Sequence, residues 1–260
     1  MILRRFAEAL KQQNWAAIAI EFVLLVGGVF FGIQVANWNQ QRLSDKQGEI
    51  FTERLHADLR IEAWNFEYLI QYYGEVQANA ERALALLEGE SVASNEQLLI
   101  SAYRATQFLT RTTRRATYDE MRSTGSLGLV KRKTLRDAAD LVYADGLFAI
   151  VENQNNGSRY REAFRMRVPM DVQIALGEQC GDRFVTPGDF RQMVGSLNYD
   201  CTLGLKQEAI DRAAQALRND DSIIPLLRLR LSDVRTVIAN QTTSTLDTRR
   251  ALRAVAKATP

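Results

Sequence analysis

IEFVLLVGGVFFGIQVANWNQQR, residues 20–42, is the most apolar run in the chain, yet Glu21 stands near its start and Gln34 lies inside it. Extended back to Trp15, the 24 residues from Trp15 to Trp38 hold one ionisable group, Glu21. At 1.5 Å per residue such a helix is about 36 Å long, enough for a hydrocarbon core of roughly 30 Å. Trp15 and Trp38 bracket it as interfacial aromatics do. A cleaved secretory signal calls for a shorter apolar region ending in a small-residue site. Here Gln34, Asn37, Trp38 and Asn39 follow instead. An uncleaved signal anchor fits best; a buried helix of a soluble domain and a cleaved signal are the alternatives.

The carboxylate belongs to a pattern. On a helical projection Glu21, Gly28, Gly32 and Asn39 fall within about 20° of one line, with Asn14, Ala17 and Val35 within about 40°. Gly28-x-x-x-Gly32 lets helix backbones approach closely, and a polar group in the same seam bonds across it. An ionisable residue inside a span is a functional hypothesis by default. Glu21 therefore has three readings: the polar member of a helix–helix seam, a shallow side chain that reaches headgroups or water, or a proton relay. The last lacks a second intramembrane partner in this chain.

Ahead of the span, residues 1–14 read as a short amphipathic interfacial segment, with Ile2, Leu3, Phe6 and Leu10 near one face and Arg4, Arg5 and Lys11 adding positive charge. The short basic tail favours a cytoplasmic N-terminus and a periplasmic C-terminal part.

Residues 39–260 form a mostly helical soluble domain in this reading. Apolar positions from Phe51 through Leu87 recur at helical spacing without a proline, so the span is expected to continue as one long helix to about residue 88, with Gly89 as C-cap. Ser94 opens a second helix to about 110 through a capping box. Further helices are expected through Met121, from Thr134 as cap to about 166 (weakly interrupted at Asn155-Asn156-Gly157), over 204–218, and from Ser222 to about 257. Residues 168–203 are the least regular part. The fold class is mostly α: a transmembrane helix over 15–38 running into a long helix and an extracytoplasmic bundle.

Composition narrows the chemistry. The net charge is +2, the only histidine is His56, and the only cysteines are Cys180 and Cys201. That inventory excludes most zinc sites and the commonest general base. No catalytic constellation, cofactor motif or metal motif stands out, and no nucleic-acid partner is expected. Charge is nevertheless uneven: residues 39–103 hold 5 basic and 11 acidic side chains, net −6, and residues 104–167 hold 13 and 7, net +6. The two regions complement each other within a bundle or between subunits, or are simply solvated faces. Arg114, Arg115, Lys131, Arg132 and Lys133 are the candidate basic patch, flanking "STGSLG" at 123–128. That loop lacks the ending of a phosphate-binding loop and reads better as a tight turn. Arg159, Arg161, Arg165 and Arg167 read as a solvated face paired with Glu62, Glu67 or Glu75. His56 reads as exposed, and the adjacent Asp119 and Glu120 as a poor acid–base pair. Cys180 and Cys201 enclose 20 residues of irregular chain. In an oxidising compartment a disulfide there stabilises by about 3 kcal/mol; two buried thiols are the alternative.

Two patches resemble a domain-of-unknown-function family of bacterial single-pass inner-membrane proteins. Glu21, Gly32, Ile33, Gln34, Asn37, Trp38 and Asn39 match its anchor, where Ile20 and Ala36 replace the common Gly and Asn. "TYDEMRSTGSLGLVKRKTLRDAADLVY", 117–143, is similar to its second conserved segment. The resemblance covers about a fifth of the chain and implies a membrane-anchored helical ectodomain; it assigns no particular activity. The expected partners are membrane lipid and either a second copy of the chain or another membrane protein. The expected function is non-enzymatic interaction or self-association. A sensor-like ligand-binding ectodomain is the first alternative. A carboxylate-dependent enzyme acting on an anionic substrate, with acids converging near 111–136, is the second.

Overall fold

The computed structural model describes residues 15–109, 113–144, 158–190 and 195–258; the interfacial segment expected over 1–14 and the interruption expected at 155–157 lie outside them. The described chain is mostly helical and contains no strand. It divides into two compact units, Met1–Ile50 and Phe51–Pro260.

Helix α1, Trp15–Glu88, contributes to both units. It passes Gly48 and Gly74 without interruption and stops where the sequence says it should, at Gly89, whose φ of +78° is a left-handed conformation that side chains resist. Between Phe22 and Ile33, in the first unit, the helix is apolar all round. Phe22, Leu24, Leu25, Phe31 and Val35 are each about two-thirds exposed. Among the described residues this is the one helix long and apolar enough to cross a membrane.

The second unit is built around the remainder of α1. Helices α2 (Asn95–Ala105), α3 (Ala116–Ser123), α4 (Lys133–Ala144), α5 (Arg159–Arg167), α6 (Met170–Cys180), α7 (Gln207–Arg218), α8 (Ile223–Ala239) and α9 (Leu246–Lys257) follow. The N-terminal half of α1 in this unit (Phe51, Leu55, Leu59) packs on α3, α4 and α9 through Met121, Leu135 and Leu252. Its middle, Trp64 to Val76, meets Leu197 and α8. Its end, Ala80 to Leu86, joins α2, α5, α6 and α7. One helix thus serves three adjoining core regions, and this explains why its apolar positions exceed a single stripe.

Some expectations need correction. The helix expected over 135–166, weakly interrupted at 155–157, does not run on into its last part: among the described residues α4 spans Lys133–Ala144, and α5 has a start of its own. Ser158 has extended backbone and its Oγ accepts the Arg161 N–H, starting α5 afresh. The helix expected to reach 257 is broken at Asn240–Ser244, a π turn where Thr242 and Thr243 hydroxyls donate back to the carbonyls of Ile238 and Ala239. Within 168–203, expected as the least regular part, residues 170–180 form helix α6, entered through Pro169, whose fixed φ suits a helix start, and no helix follows among the described residues to 203. His56 is buried, 4% exposed, and its Nε2 donates to the Val255 carbonyl at 3.2 Å because α9 covers that face of α1. In addition, α2 ends at Ala105, short of 110.

Candidate functional site

Two features stand apart from ordinary packing. The first is the exposed apolar stretch of α1. Glu21, Gly28, Gly32 and Asn39 all lie exposed on it, and a Cβ added at Gly28 or Gly32 meets nothing within 4 Å. Among the described residues, nothing obstructs the stripe at Gly28 and Gly32.

The second feature is a cleft of about 550 Å³ on the soluble unit. One wall is the aromatic ladder of α1. Trp64, Tyr68 and Tyr72 occur at i, i+4 and i+8, so they share one helix face. Trp64 and Tyr68 stack with centroids 4.7 Å apart, and Tyr68 lies 6.1 Å from Tyr72. The other wall is the segment after α6, bearing Asp182 and Val185; Arg114 stands at the same cleft.

That segment is held down at several points. A disulfide joins Cys180 to Cys201, with Cα atoms 5.5 Å apart. Arg104 Nε donates to the Cys180 carbonyl and Nη2 to the Tyr199 carbonyl, and the guanidinium lies 4.5 Å over the Tyr199 ring. Trp64 Nε1 donates to the Asp189 carbonyl at 2.8 Å. Glu75 Oε2 accepts the Leu197 N–H at 2.9 Å. Gly195 leaves room for this carboxylate: a Cβ there would come within 2.2 Å of Glu75 Oε1 and 2.6 Å of Asn198 Cβ, so these neighbours would have to shift.

Asp182 is the chemically distinctive group. Its Oδ1 accepts from the Tyr72 hydroxyl at 2.9 Å and, more weakly, from Ser196 at 3.5 Å. Burial pushes its carboxyl above the usual range, and the two hydroxyls with the Arg161 and Arg104 guanidiniums only partly offset this. Burial also raises the Tyr72 phenol well beyond its ordinary value, so it stays a donor.

The basic residues singled out from sequence are distributed over several surroundings. Arg115 makes a two-pronged bond to Asp119, and Lys133 pairs with Asp137. Arg132 borders a separate cavity of about 350 Å³ beside His56 and Leu135, while Arg114 borders the aromatic cleft. Lys131 stands exposed between them in sequence. Gly125, at φ +68°, turns the "STGSLG" segment into a short 3₁₀ stretch at Ser126–Leu129. Asp119 and Glu120 point to different arginines, Arg115 and Arg54. Two of the arginines of α5 find partners other than the acids expected of them. Arg161 donates to the Thr106 carbonyl and covers Phe108, and Arg167 pairs with Asp220. Glu67 is instead clasped by Arg249 and Arg253.

Sequence reading missed Asp182, Tyr72 and Trp64 as a group. The usable signal was the aromatic spacing on α1; nothing local tied it to residue 182. Among the described residues no cluster of three or more metal-ligating side chains occurs. Compared with protein-family models, curated proteins and solved structures, the chain matches none.

Proposed function

We propose that this chain is a single-pass bacterial inner-membrane protein, with its N-terminus cytoplasmic and its helical unit periplasmic, acting by protein–protein interaction or self-association and not by catalysis. One observation carries the reading: the α1 surface from Phe22 to Ile33 is apolar on every side, and its large side chains are exposed. A contiguous apolar surface of that extent in water is an aggregation hazard, whereas in lipid it is at home. The Cys180–Cys201 bond supports an oxidising compartment for the soluble unit. The unobstructed Gly28 and Gly32 stripe, with Glu21, supplies the seam for self-association.

Membrane fractionation with C-terminal reporter fusions tests placement. A periplasm-active fusion supports the reading, and one active only in the cytoplasm overturns it. For the seam, Gly28→Leu with Gly32→Leu is expected to abolish crosslinked oligomers; unchanged crosslinking removes that element.

A second reading has an observation of its own. The cleft between the α1 aromatics and the stapled segment is large enough for a small molecule. It favours a ligand-binding ectodomain that signals through a membrane partner.

A further inference from the structure

The aromatic cleft contains two opposite charges that do not satisfy each other. Among the described residues the Asp182 carboxylate accepts hydroxyl bonds from Tyr72 and Ser196, with the Arg161 and Arg104 guanidiniums acting on it from further away. Arg114 uses its backbone N–H toward Glu62, and its carbonyl accepts from Tyr143. Among the described residues neither side chain forms an ion pair, and the two are therefore more than 4.0 Å apart. Arg183, the other cation at the cleft, lies 3.5 Å over the Tyr199 ring. The same cleft is also lined by the apolar or aromatic side chains of Trp64, Tyr68, Leu109 and Val185.

We propose that the cleft binds a zwitterionic small molecule with an apolar or aromatic body, an α-amino acid or a close analogue. Its ammonium group meets Asp182 and its carboxylate meets Arg114. Three pieces of chemistry select this class. A carboxylate in a partly desolvated aromatic site favours a cation, which also gains from the ring faces. A guanidinium at the same cleft favours a carboxylate. A ligand carrying only one charge engages one of the two groups, whereas a zwitterion engages both. The two charges are set apart at one cavity, which a ligand bearing both can bridge. This rests on the ligand-binding reading above and narrows it to a chemical class.

The test uses the full chain in detergent micelles and calorimetric titration. The probes are L-phenylalanine and L-leucine as zwitterions, phenethylamine as the cation and 3-phenylpropionate as the anion. The expected result is that a zwitterion binds at least about tenfold more tightly than either singly charged analogue. Asp182→Asn, which keeps an oxygen for the Tyr72 hydroxyl, is expected to weaken L-phenylalanine and phenethylamine about tenfold and leave 3-phenylpropionate unchanged. Arg114→Gln is expected to do the reverse, weakening the zwitterion and the anion and sparing the cation. Equal or tighter binding of a singly charged analogue overturns the zwitterion assignment while leaving the cleft a ligand site. Absence of binding by every probe overturns the assignment and the ligand-binding reading together. The charge series on the unmodified chain is decisive even if a variant fails to fold.

Discussion

The hydroxyl of Tyr72 donates to Asp182 Oδ1 at 2.9 Å, joining the middle of α1 to a segment 110 residues further along. This bond fixes the position of the carboxylate in the cleft. Its acceptor is charged and its donor is 1% exposed, so it belongs to the stronger class of side-chain bonds. Tyr72→Phe keeps the ring in the aromatic ladder and removes only the donor. The expected cost is about 1.5–3 kcal/mol in urea unfolding, with faster proteolytic nicking between residues 182 and 200 and an otherwise native fold. Unchanged stability and unchanged nicking would show that the bond does not hold the segment.

The disulfide closes that same segment. Removing a crosslink around 20 residues frees conformations of the unfolded chain and is expected to cost about 3 kcal/mol. Cys180 is fully buried among α2 and α7 side chains, so alanine is the better replacement at that position, with serine at Cys201. Urea midpoints with and without dithiothreitol check this. The unmodified chain should lose stability on reduction, and the double variant should not respond to reductant.

Much of the architecture was legible because its signals are local. The apolar run at 20–35, the unbroken apolar spacing to Leu87 and the stop at Gly89 all sit in consecutive residues, and α1 follows them. Ser94 announced α2 equally well, its Oγ accepting the Gln97 N–H. What failed depended on distant partners. His56 looked like one more polar residue on α1; only α9, 190 or more residues later, makes it interior. The break before α5 does have a signal, Ser158 with Glu162 in the first turn, but apolar periodicity passes over it. The pairing of Glu67 with Arg249 and Arg253 is beyond any local reading, since net charge per region does not assign partners. The cleft was least legible of all: Trp64, Tyr68 and Tyr72 announce an aromatic face, yet Asp182 is assigned to it only by the path of the chain after α6.

Glu67 gives the fold an acid-sensitive tie. Burial pushes its carboxyl up, but two-pronged bonds from Arg249 and Arg253 outweigh burial and bring it from 4.5 to about 2. A carboxyl depressed in the folded state contributes stability that is complete above its unfolded value and is lost as pH falls through the folded value. The window here runs from about pH 5 down to about pH 2. Arg253 is half exposed, so solvent screening reduces the contribution, and about 2 kcal/mol is the expected scale. Thermal unfolding from pH 6 to pH 2 checks it. Glu67→Gln should be less stable near neutrality and should lose this part of the decline, with its curve converging on the parent's at low pH.

Arg230 is 2% exposed and closes the C-terminal end of α2, donating from Nε to the Ala105 carbonyl at 3.2 Å and from Nη2 to the Gln107 carbonyl at 2.7 Å. The carbonyls ending a helix have no intrahelical donors, and a cation there also suits the helix dipole. Burying a guanidinium is costly, so an apolar replacement can be neutral when its partners leave with it. Here they cannot leave, because they are backbone oxygens, one in the last residue of α2 and one just beyond its end. Arg161 already serves the intervening Thr106 carbonyl and is not placed to substitute. Arg230→Met is therefore expected to cost about 3 kcal/mol, dominated by two stranded acceptors. Arg230→Lys should recover only part of this, since one ammonium lacks the planar fork that reaches both oxygens. Urea unfolding ranks the three chains; a methionine variant as stable as the parent would mean that the two carbonyls find other donors.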